Sequence, residues 1–478
     1  MKQVPKDQVV KRLNIENPWW IDKNIPKIYR SFKPRAYLEL FYPLIESINI
    51  RRATVLMGPR RVGKTVLIHH AILKLIEKNV SPKRIAYFSV DHPIYNGLSL
   101  DTLIDFFSDA TGTDSSQDEC YIFFDEIQYL KNWEIHLKAI VDRFPNIKCT
   151  VSGSAAAALR LKSSESGAGR FTDFLLPPLT FHEYLELLGK VDLISPPDIK
   201  GGFFRSNNID ELNSDFIHYL NYGGYPEVIF SEIIKSDPGR FIKNDIIDKV
   251  LLRDLPGLYG VQDIQELNYL FTTLAFNSSN EVSLEELSKG SGVAKNTIKR
   301  YIEYLEAAFL IRLVHRVDIT AKRFKRANYF KVYLTNPSIR SALFSPINKD
   351  DDAIGPLSET AIYSQWFHSN YPLHYSRWKN GEVDIVGLGN EQKVSWAIEV
   401  KWTDRYFKKP TELKSLVKFC HVNNLDDVIV TTLTKTGNVK VENINIEFIP
   451  TSIYCYTVGY NIIKGKKEAD VFLPNASS

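Results

Sequence analysis

The strongest chemical signal in the sequence is the segment Gly58-Pro59-Arg60-Arg61-Val62-Gly63-Lys64-Thr65. Two glycines separated by four residues let a loop curl until its backbone N–H groups face one point, and such a point attracts phosphate oxygens. An apolar run at residues 53–57 precedes the loop, and an apolar-periodic helix follows it, so the positive end of a helix dipole faces the same place. The sequence therefore predicts a phosphate-binding P-loop.

Within this loop, Lys64 would neutralise the β- and γ-phosphates of a nucleotide, and the Thr65 hydroxyl would bind Mg²⁺. Arg60 and Arg61 either add positive charge near the phosphates or face solvent, and the sequence does not decide between these positions. The expected ligands are ATP or ADP together with Mg²⁺.

A second signal is the apolar run 121–124, which ends in Asp125 and Glu126. A buried strand of this kind delivers carboxylates to the edge of a sheet, where ligands of α/β proteins bind. Asp125 would help to hold Mg²⁺, and Glu126 would orient and polarise the attacking water. The alternative is an ordinary strand end with solvated acids, and the upstream P-loop favours the functional interpretation.

Two further residues are candidates for contact with the γ-phosphate. Ser154 follows the apolar strand 148–151, although Ser152 is an equal alternative and Ser154 could also cap a helix. Arg170 precedes another strand and could reach phosphate in cis, or in trans within a homo-oligomer. A solvated surface arginine is the alternative for Arg170.

The elements that must position these residues alternate along the chain. Short apolar runs at 53–57, 85–90, 121–124, 148–151 and 173–176 are typical of buried parallel strands. Helical patterns at 64–78, 100–111 and 133–144 lie between them. This alternation predicts an α/β layer with a parallel sheet. Residues 192–214 are rich in Pro, Gly and Asn, and we predict a surface loop there.

Composition restricts the class of protein. A chain of 478 residues is longer than one compact core usually organises, so we expect several domains. Because the net charge is only +4, any nucleic-acid surface must be a local basic patch. No apolar run reaches the length of a membrane span, and the first seven residues lack the apolar core of a secretory signal. The four cysteines form no CxxC pair, as expected of reduced thiols. We expect a cytoplasmic protein without a membrane partner.

The middle of the chain contains a helix–turn–helix pattern. Ser283 and Glu286 form a capping-box signature, and a glycine-containing turn at 290–293 separates the helix that follows from a second one. Asn296, Thr297, Lys299 and Arg300 would lie on the exposed face of that second helix, where DNA contacts are made. The next segment, 312–331, carries seven Lys or Arg residues against one acid, and a basic hairpin of this kind suits a duplex backbone. Packing against the ATPase or docking of a protein partner is the alternative.

The C-terminal part places charged residues on predicted strands. Glu359 lies in a helix, Asp384 in the second strand of a hairpin with an Asn-Gly turn, and Glu399 and Lys401 in a third strand. Because side chains alternate along a strand, Glu399 and Lys401 share a face while Val400 points into the core. Carboxylates at such an edge could bind Mg²⁺ or Mn²⁺, and Lys401 could orient or deprotonate a water.

These residues resemble two known families. GPRRVGKT at 58–65, DEIQ at 125–128, SGS at 152–154, Gly169-Arg170, GGYPE at 223–227 and RDL at 253–255 resemble prokaryotic AAA-type, archaeal-ATPase-like proteins. The resemblance implies the additional-strand P-loop class, with Glu126 as the catalytic glutamate, followed by a winged helix. The order Glu359, Asp384, Glu399, Lys401 resembles the PD-(D/E)XK nuclease core, although Val383 replaces the proline of that motif.

The expected fold is multidomain α/β. We predict an N-terminal segment at 1–52 that packs on a P-loop ATPase core at 53–178, a helical lid at 179–261, a winged-helix domain at 262–345 and a restriction-endonuclease-like α/β domain at 356–478. In one interpretation ATP turnover controls DNA binding or metal-dependent cleavage. In the other, the protein is an ATP-dependent switch whose inactive nuclease-like domain binds a protein partner.

Overall fold

The computed structural model describes residues 5–153, 169–199, 201–322, 329–369, 371–389 and 392–464. The chain forms two compact units, Met1–Pro177 and Pro178–Ser478. Within the described residues, no helix is long and apolar enough to cross a lipid bilayer. All four cysteines are buried free thiols.

The first unit is built on a five-stranded sheet with the order β2-β3-β4-β1-β5, and every neighbouring pair is parallel. Its strands are β1 Ala53–Met57, β2 Ile85–Ser89, β3 Cys120–Asp125, β4 Ile147–Gly153 and β5 Phe171–Leu175. The predicted parallel sheet is confirmed. Strand β4 lies between β1, which leads into the P-loop, and β3, which ends in Asp125, as expected of the additional-strand class.

Helices cover this sheet, and their ends follow ordinary capping rules. Ser99 accepts a hydrogen bond from Thr102 N at the start of one helix, and Gly112 in the left-handed conformation ends it. The helices of the first unit are Lys6–Glu16, Trp19–Asp22, Lys27–Arg30, Leu38–Glu46, Lys64–Glu77, Leu100–Thr111 and Trp133–Arg143. Short 3₁₀ turns occur at Pro82–Arg84, Pro93–Tyr95 and Ile127–Tyr129.

The N-terminal segment covers the edge strand β2. The Asn17 side chain accepts a hydrogen bond from Tyr87 N (2.6 Å) and donates one to Tyr87 O (3.0 Å), as a neighbouring strand would. The indole N–H groups of Trp19 and Trp20 both donate to Ile85 O. Asn17, Trp19 and Trp20 thus hydrogen-bond to backbone groups that an open sheet edge would leave unpaired.

The second unit is built on a nine-stranded mixed sheet with the order β15-β16-β14-β13-β12-β11-β9-β10-β8. Its strands are β8 Glu281–Ser283, β9 Ile311–Val317, β10 Tyr329–Leu334, β11 Leu373–Trp378, β12 Gly381–Leu388, β13 Val394–Glu399, β14 Asp427–Thr432, β15 Gly437–Val441 and β16 Ile444–Pro450. Two further strands, β6 Ile194–Ser195 and β7 Arg205–Ser206, form a separate hairpin. Strand β9 pairs in parallel with β11, so the strands of the predicted winged helix and of the predicted nuclease-like domain share one sheet.

The helices of the second unit pack on this sheet and on one another. They are Phe181–Leu188, Ile209–Tyr222, Pro226–Phe230, Glu232–Ser236, Pro238–Phe241, Leu255–Tyr259, Ile264–Phe276, Leu284–Ser291, Lys295–Ala307, Ser338–Leu343, Ile354–Trp366, Arg405–Lys408, Lys414–Asn423 and Thr451–Ile463. The π-helical segments Ile242–Asp248 and Val250–Asp254 and the 3₁₀ turns Val191–Leu193 and Pro410–Glu412 complete the set in the described residues.

One predicted boundary is wrong. The loop predicted at 192–214 ends at residue 208, because the Asn208 side chain accepts a hydrogen bond from Glu211 N and starts the helix Ile209–Tyr222. The apolar face of this helix and that of Phe181–Leu188 belong to the same core as Thr451–Ile463. The segment predicted as a lid therefore contributes to the core of the second unit, while the domain boundaries at 261, 345 and 356 stay predictions.

Candidate functional site

The P-loop curls because three of its residues adopt left-handed backbone conformations. Gly58, Arg61 and Gly63 have φ angles of 156°, 64° and 91°. At Gly58 no other residue fits, since a Cβ atom would lie 2.2 Å from the carbonyl oxygen of Leu176. Glycine is thus required where the loop passes Leu176, the residue that follows β5.

Lys64 lies inside the curl of the loop. Its Nζ atom donates hydrogen bonds to Gly58 O (3.0 Å) and Pro59 O (2.7 Å), and the residue is 6% exposed. The ammonium is thus held at the start of the helix Lys64–Glu77, where the helix dipole and the loop amides also attract negative charge. Arg61 is exposed and Arg60 is half-buried, so neither is enclosed by the fold.

Asp125 joins the P-loop to the end of β3. The Thr65 hydroxyl donates to Asp125 Oδ2 at 2.6 Å, although the two residues are 60 positions apart. The Tyr87 hydroxyl donates to the same oxygen at 2.8 Å, and the Ser152 hydroxyl donates to Asp125 Oδ1. Asp125 is 2% exposed, so three hydroxyl groups satisfy a buried carboxylate at the carboxyl edge of the sheet.

Aromatic residues enclose this carboxylate from the side. The His69 ring lies 4.0 Å from the Tyr29 ring and 4.7 Å from the Tyr87 ring. Burial lowers the pKa of His69 to about 4, so its imidazole is neutral near pH 7. Burial, and then the neighbouring Asp125 charge, raise the pKa of Tyr87 well above its ordinary value. The phenol therefore stays protonated and can donate its hydrogen bond to Asp125.

Glu126 follows Asp125 in a strained backbone conformation. Its φ angle of 57° is unusual for a residue other than glycine, and the strain turns the chain sharply at the end of β3. The Gln128 side-chain amide donates to Glu126 Oε2. Glu126 is half-buried, and its carboxylate is oriented by a residue two positions further along.

Arg35, a residue of the N-terminal segment, stabilises the P-loop through hydrogen bonds. The residue is 7% exposed, and its Nη1 atom donates to Val62 O (3.0 Å) and Pro177 O (2.9 Å). Sequence analysis did not identify Arg35, because no local pattern links it to a loop 27 residues away.

The two predicted γ-phosphate contacts, Ser154 and Arg170, have different outcomes. Ser154 lies outside the described residues, whereas its alternative, Ser152, contacts Asp125. Arg170 lies at the amino-terminal edge of the sheet, since its carbonyl accepts a hydrogen bond from Ala53 N at the start of β1. Its Nε atom donates to Asp142 Oδ1 at 2.6 Å. The P-loop begins at the opposite end of β1, so this geometry does not bring Arg170 to the phosphates in cis.

The second unit contains a cluster of six charged side chains, which come from β10, β12, the end of β13 and the helix Ile354–Trp366. We name it the C-terminal charge cluster; it consists of Lys331, Glu359, Glu382, Asp384, Glu399 and Lys401. The structure thus brings together the four residues that the sequence predicted, Glu359, Asp384, Glu399 and Lys401, and adds two more.

Lys401 lies just beyond the end of β13 but keeps the predicted position. Its Nζ atom lies 2.8 Å from Glu399 Oε1 and 3.4 Å from Asp384 Oδ2. Its backbone N–H donates to Thr431 Oγ1, and the Thr431 hydroxyl donates back to Lys401 O. Val400 is buried in the core, in agreement with the predicted alternation, and its N–H donates to Asp384 Oδ2 at 2.8 Å.

Lys331 is the cluster residue that sequence analysis assigned wrongly. It was counted among the basic residues of the hairpin that suit a DNA backbone, but it is 3% exposed. Its Nζ atom lies 3.0 Å from Glu359 Oε1 and 2.6 Å from Glu382 Oε1. The sequence has its densest run of basic residues in that hairpin at 322–326, and all of this run except Lys322 lies outside the described residues.

Burial raises the pKa of two carboxyl groups in the cluster, Glu359 and Glu399. Burial raises the pKa of Glu359 to about 7, although the Lys331 charge and the Tyr333 hydroxyl act in the opposite direction. Burial and the Asp384 charge likewise raise the pKa of Glu399. For Lys331, burial lowers the pKa, but the charges of Glu359, Asp384 and Glu382 outweigh it and raise the pKa well above its ordinary value.

Both sites offer oxygen donors that could bind a divalent cation. At the P-loop, the Thr65 hydroxyl and the Asp125 carboxylate converge, and hard oxygen donors of this kind suit Mg²⁺. In the C-terminal charge cluster, Glu399 Oε2 is buried without a hydrogen-bond partner beside Asp384, which suits a cation as well. Among the described residues, no group of three or more His, Cys, Asp or Glu side chains forms a metal-binding constellation.

Two helices, Leu284–Ser291 and Lys295–Ala307, lie at the positions where the sequence predicts a helix–turn–helix. Ser283 and Glu286 make both hydrogen bonds of a capping box. Asn296, Lys299 and Arg300 are exposed on the helix Lys295–Ala307, and Thr297 is half-buried. The hairpin of β9 and β10 follows this helix.

Comparison with known proteins agrees with the P-loop core. Residues 50–185 match the family model of an AAA domain, and residues 213–351 match that of a domain of unknown function, DUF8612. The first unit therefore contains an AAA-type, P-loop ATPase-like core with a parallel sheet.

Relatives extend over most of the chain. An uncharacterized protein of Methanocaldococcus jannaschii is 25% identical over 400 residues, which are 80% of this chain and 81% of the relative. An uncharacterized protein of Haemophilus influenzae is 22% identical over 83% of this chain and 92% of its own. The structure of the Aeropyrum pernix ORC2 protein aligns at 12% identity and a TM-score of 0.39, over 70% of this chain and 97% of that one.

Proposed function

We propose that the first unit binds Mg·ATP and hydrolyses it. The observation that carries this proposal is the convergence of Thr65 and Asp125 at 2.6 Å, at the carboxyl edge of a parallel sheet and directly after a curled glycine loop. The AAA-domain match over residues 50–185 supports the same function.

In this proposal, the loop amides and Lys64 bind the β- and γ-phosphates. Mg²⁺, when bound, neutralises charge on the phosphate oxygens. Glu126 orients a water molecule and accepts its proton as the water oxygen bonds to the γ-phosphorus. The bond between that phosphorus and the β–γ bridging oxygen breaks, and the products are ADP and inorganic phosphate. Hydrogen bonds from Thr65, Tyr87 and Ser152 hold the Asp125 carboxylate in position.

Glu126→Gln tests this assignment. We expect kcat for ATP hydrolysis to fall at least 100-fold while the Kd for ATP stays within about twofold, because the amide cannot accept the proton of the water. Glu119→Gln is the matched control, since Glu119 is an exposed acid before the opposite end of the same strand and should leave both constants unchanged. Normal turnover by the Glu126 variant would contradict the proposal, as would the absence of ATP binding to the wild type in calorimetry.

We further propose that the second unit contacts DNA and cleaves it with the aid of a divalent cation. The observation favouring this function is the convergence of Glu359, Asp384, Glu399 and Lys401, which lie on a helix and on adjacent strands as in the PD-(D/E)XK arrangement. Asp384 and Glu399 would hold Mg²⁺ or Mn²⁺, and the cation would activate a water and stabilise charge on the phosphodiester. Lys401 would orient that water, and Glu359 would orient the neighbouring charges.

The exposed residues Asn296, Lys299 and Arg300 support a DNA-binding role for the winged-helix-like elements. The order helix, β8, two helices and the β9–β10 hairpin is also that of a winged helix. A protein partner at the same surface, with an inactive charge cluster, is the alternative function. Independently of which partner the second unit binds, Arg170 could contribute to ATP turnover in trans only within a homo-oligomer, and a monomer with full ATPase activity would exclude this role.

Lys401→Ala separates the two functions. We expect it to abolish metal-dependent cleavage and to leave ATP hydrolysis unchanged, whereas Lys409→Ala, at an exposed lysine nearby, should change neither. Wild-type protein that leaves DNA and RNA uncut with Mg²⁺ or Mn²⁺, with and without ATP, would favour the alternative.

A further inference from the structure

Lys331 holds an unusual position for a lysine. It lies on β10, two residues before Tyr333, whose hydroxyl donates to the same oxygen of Glu359 that Lys331 contacts. The Lys331 ammonium also lies 5.2 Å from the centre of the Tyr375 ring. Carboxylates and an aromatic face therefore surround the ammonium, and almost none of the side chain reaches solvent.

The C-terminal charge cluster consists of two pairs of carboxylates, each with one ammonium. Lys331 lies between Glu359 and Glu382, and Lys401 lies against Asp384 and Glu399. Once all four carboxylates are ionised, they and the two ammonium groups leave two unbalanced negative charges, which one divalent cation would balance. The pair formed by Asp384 and Glu399 contains a buried oxygen without a hydrogen-bond partner, Glu399 Oε2.

We propose that Lys331 occupies the place of a second divalent cation and thereby limits the C-terminal charge cluster to one divalent ion, held by Asp384 and Glu399. This inference rests on the metal binding assumed in the proposed function. Lys331 is then a positioning residue, because it acts through Glu359 and Glu382 and not on the reacting phosphate.

The charge of Lys331 explains why a second divalent cation would be excluded. Taking a lysine out of water is costly, and close contact with two carboxylates offsets this cost. A divalent cation between Glu359 and Glu382 would have to displace the ammonium, because two positive groups cannot share that space at contact distance. In the other pair, Lys401 contacts Glu399 Oε1 and leaves Glu399 Oε2 without a hydrogen-bond partner, so a cation can bind there without displacing Lys401. Replacing the lysine by an uncharged side chain leaves two partly buried carboxylates facing each other, and hard oxygen donors of this kind suit a divalent cation.

Mn²⁺ titration of the nucleotide-free, full-length protein tests this inference, with free Mn²⁺ followed by electron paramagnetic resonance. We expect the wild type to bind one ion that Asp384→Ala removes. Lys331→Met should raise the number of ions in the cluster from one to two, and adding Glu359→Gln should return it to one. Lys331→Arg is the matched control, since it keeps a cation and should keep the count at one.

The outcomes separate the inference from the proposed function. A folded Lys331→Met variant with the same ion count as the wild type would contradict the inference alone. If that variant does not fold, the wild type at saturating Mn²⁺ decides: isolated-ion spectra support the inference, and a spin-coupled pair overturns it. A wild type that binds no ion sensitive to Asp384→Ala would contradict metal binding by the cluster, and the inference with it.

Discussion

At the scale of single residues, Asp125 depends on three hydroxyl groups for its orientation. Thr65 and Ser152 belong to segments that the sequence marks as functional, whereas Tyr87 lies in the middle of the edge strand β2. A carboxylate that is 2% exposed needs each of these donors, because water cannot replace one that is lost.

We expect Tyr87→Phe to weaken Mg²⁺-dependent ATP turnover about tenfold, since a hydrogen bond to a buried charge contributes about 1.5 kcal/mol. The measurement is the Mg²⁺ concentration for half-maximal ATPase activity. Tyr95→Phe is a matched control: Tyr95 is also buried and donates to a carboxylate, Glu16, at 2.6 Å. Equal responses of the two variants would show that Tyr87 acts only on stability.

The protonation of Glu359 should make stability depend on pH. Its pKa rises from 4.5 to about 7 on folding because of burial, so the folded state holds the proton more tightly than the unfolded state. The stability from this group is present below about pH 4.5 and is lost as the pH rises through 7.

Compared with the wild type, Glu359→Gln should therefore become relatively more stable between pH 5 and 8, by up to about 3 kcal/mol. Thermal unfolding in the presence of a chelator measures the difference. Glu303→Gln, at an exposed acid, should show no such trend. A pH-independent difference between wild type and Glu359→Gln would rule out this assignment.

At the scale of elements, the N-terminal segment completes the ATPase core. Asn17, Trp19 and Trp20 hydrogen-bond to backbone groups at the edge of β2. Arg35 hydrogen-bonds to the carbonyl of Val62 in the P-loop. The segment thus stabilises the loop conformation that the amides need in order to face phosphate.

Arg35→Met should weaken ATP binding about tenfold, because two buried carbonyl groups lose their donor and the loop relaxes. Calorimetry or a fluorescent nucleotide gives the Kd. Arg30→Met, at an exposed arginine of the same segment, should bind ATP like the wild type. An unchanged Kd for Arg35→Met would mean that the loop keeps its shape without this brace.

At the scale of the whole molecule, the chain divides after Pro177, and the nine-stranded sheet lies wholly in the second unit. Strands β8–β10 and β11–β16 are joined where β9 pairs with β11. Cutting the chain between residues 345 and 356 and separating the two parts would therefore leave β11 as an open strand edge.

We expect residues 178–478 to be monodisperse and folded on their own, as judged by size-exclusion chromatography and by thermal unfolding. Residues 356–478 alone should aggregate, because β11 loses its neighbour β9. A well-folded monomer of residues 356–478 would support instead the independent domain that the sequence predicted.

The sequence by itself determined the features that neighbouring residues encode. The P-loop, the alternation of strands and helices, the capping box at Ser283 and the Asn-Gly hairpin between β11 and β12 were all predicted within a few residues. Each depends on local backbone preference or on side-chain periodicity, and both can be read from a short window. The wrong loop boundary at Asn208 has the same origin, since polar residues are typical of loops and of helix caps alike.

Only the tertiary structure decided which distant side chains meet. Tyr87 reaches Asp125 because β2 and β3 are neighbours in the sheet, and Lys331 reaches Glu359 and Glu382 because β10 lies in the same sheet as β12. No local pattern records strand order, so a lysine in a basic segment is indistinguishable from a surface charge. Its burial follows from long-range pairing, which places it against carboxylates that balance its charge.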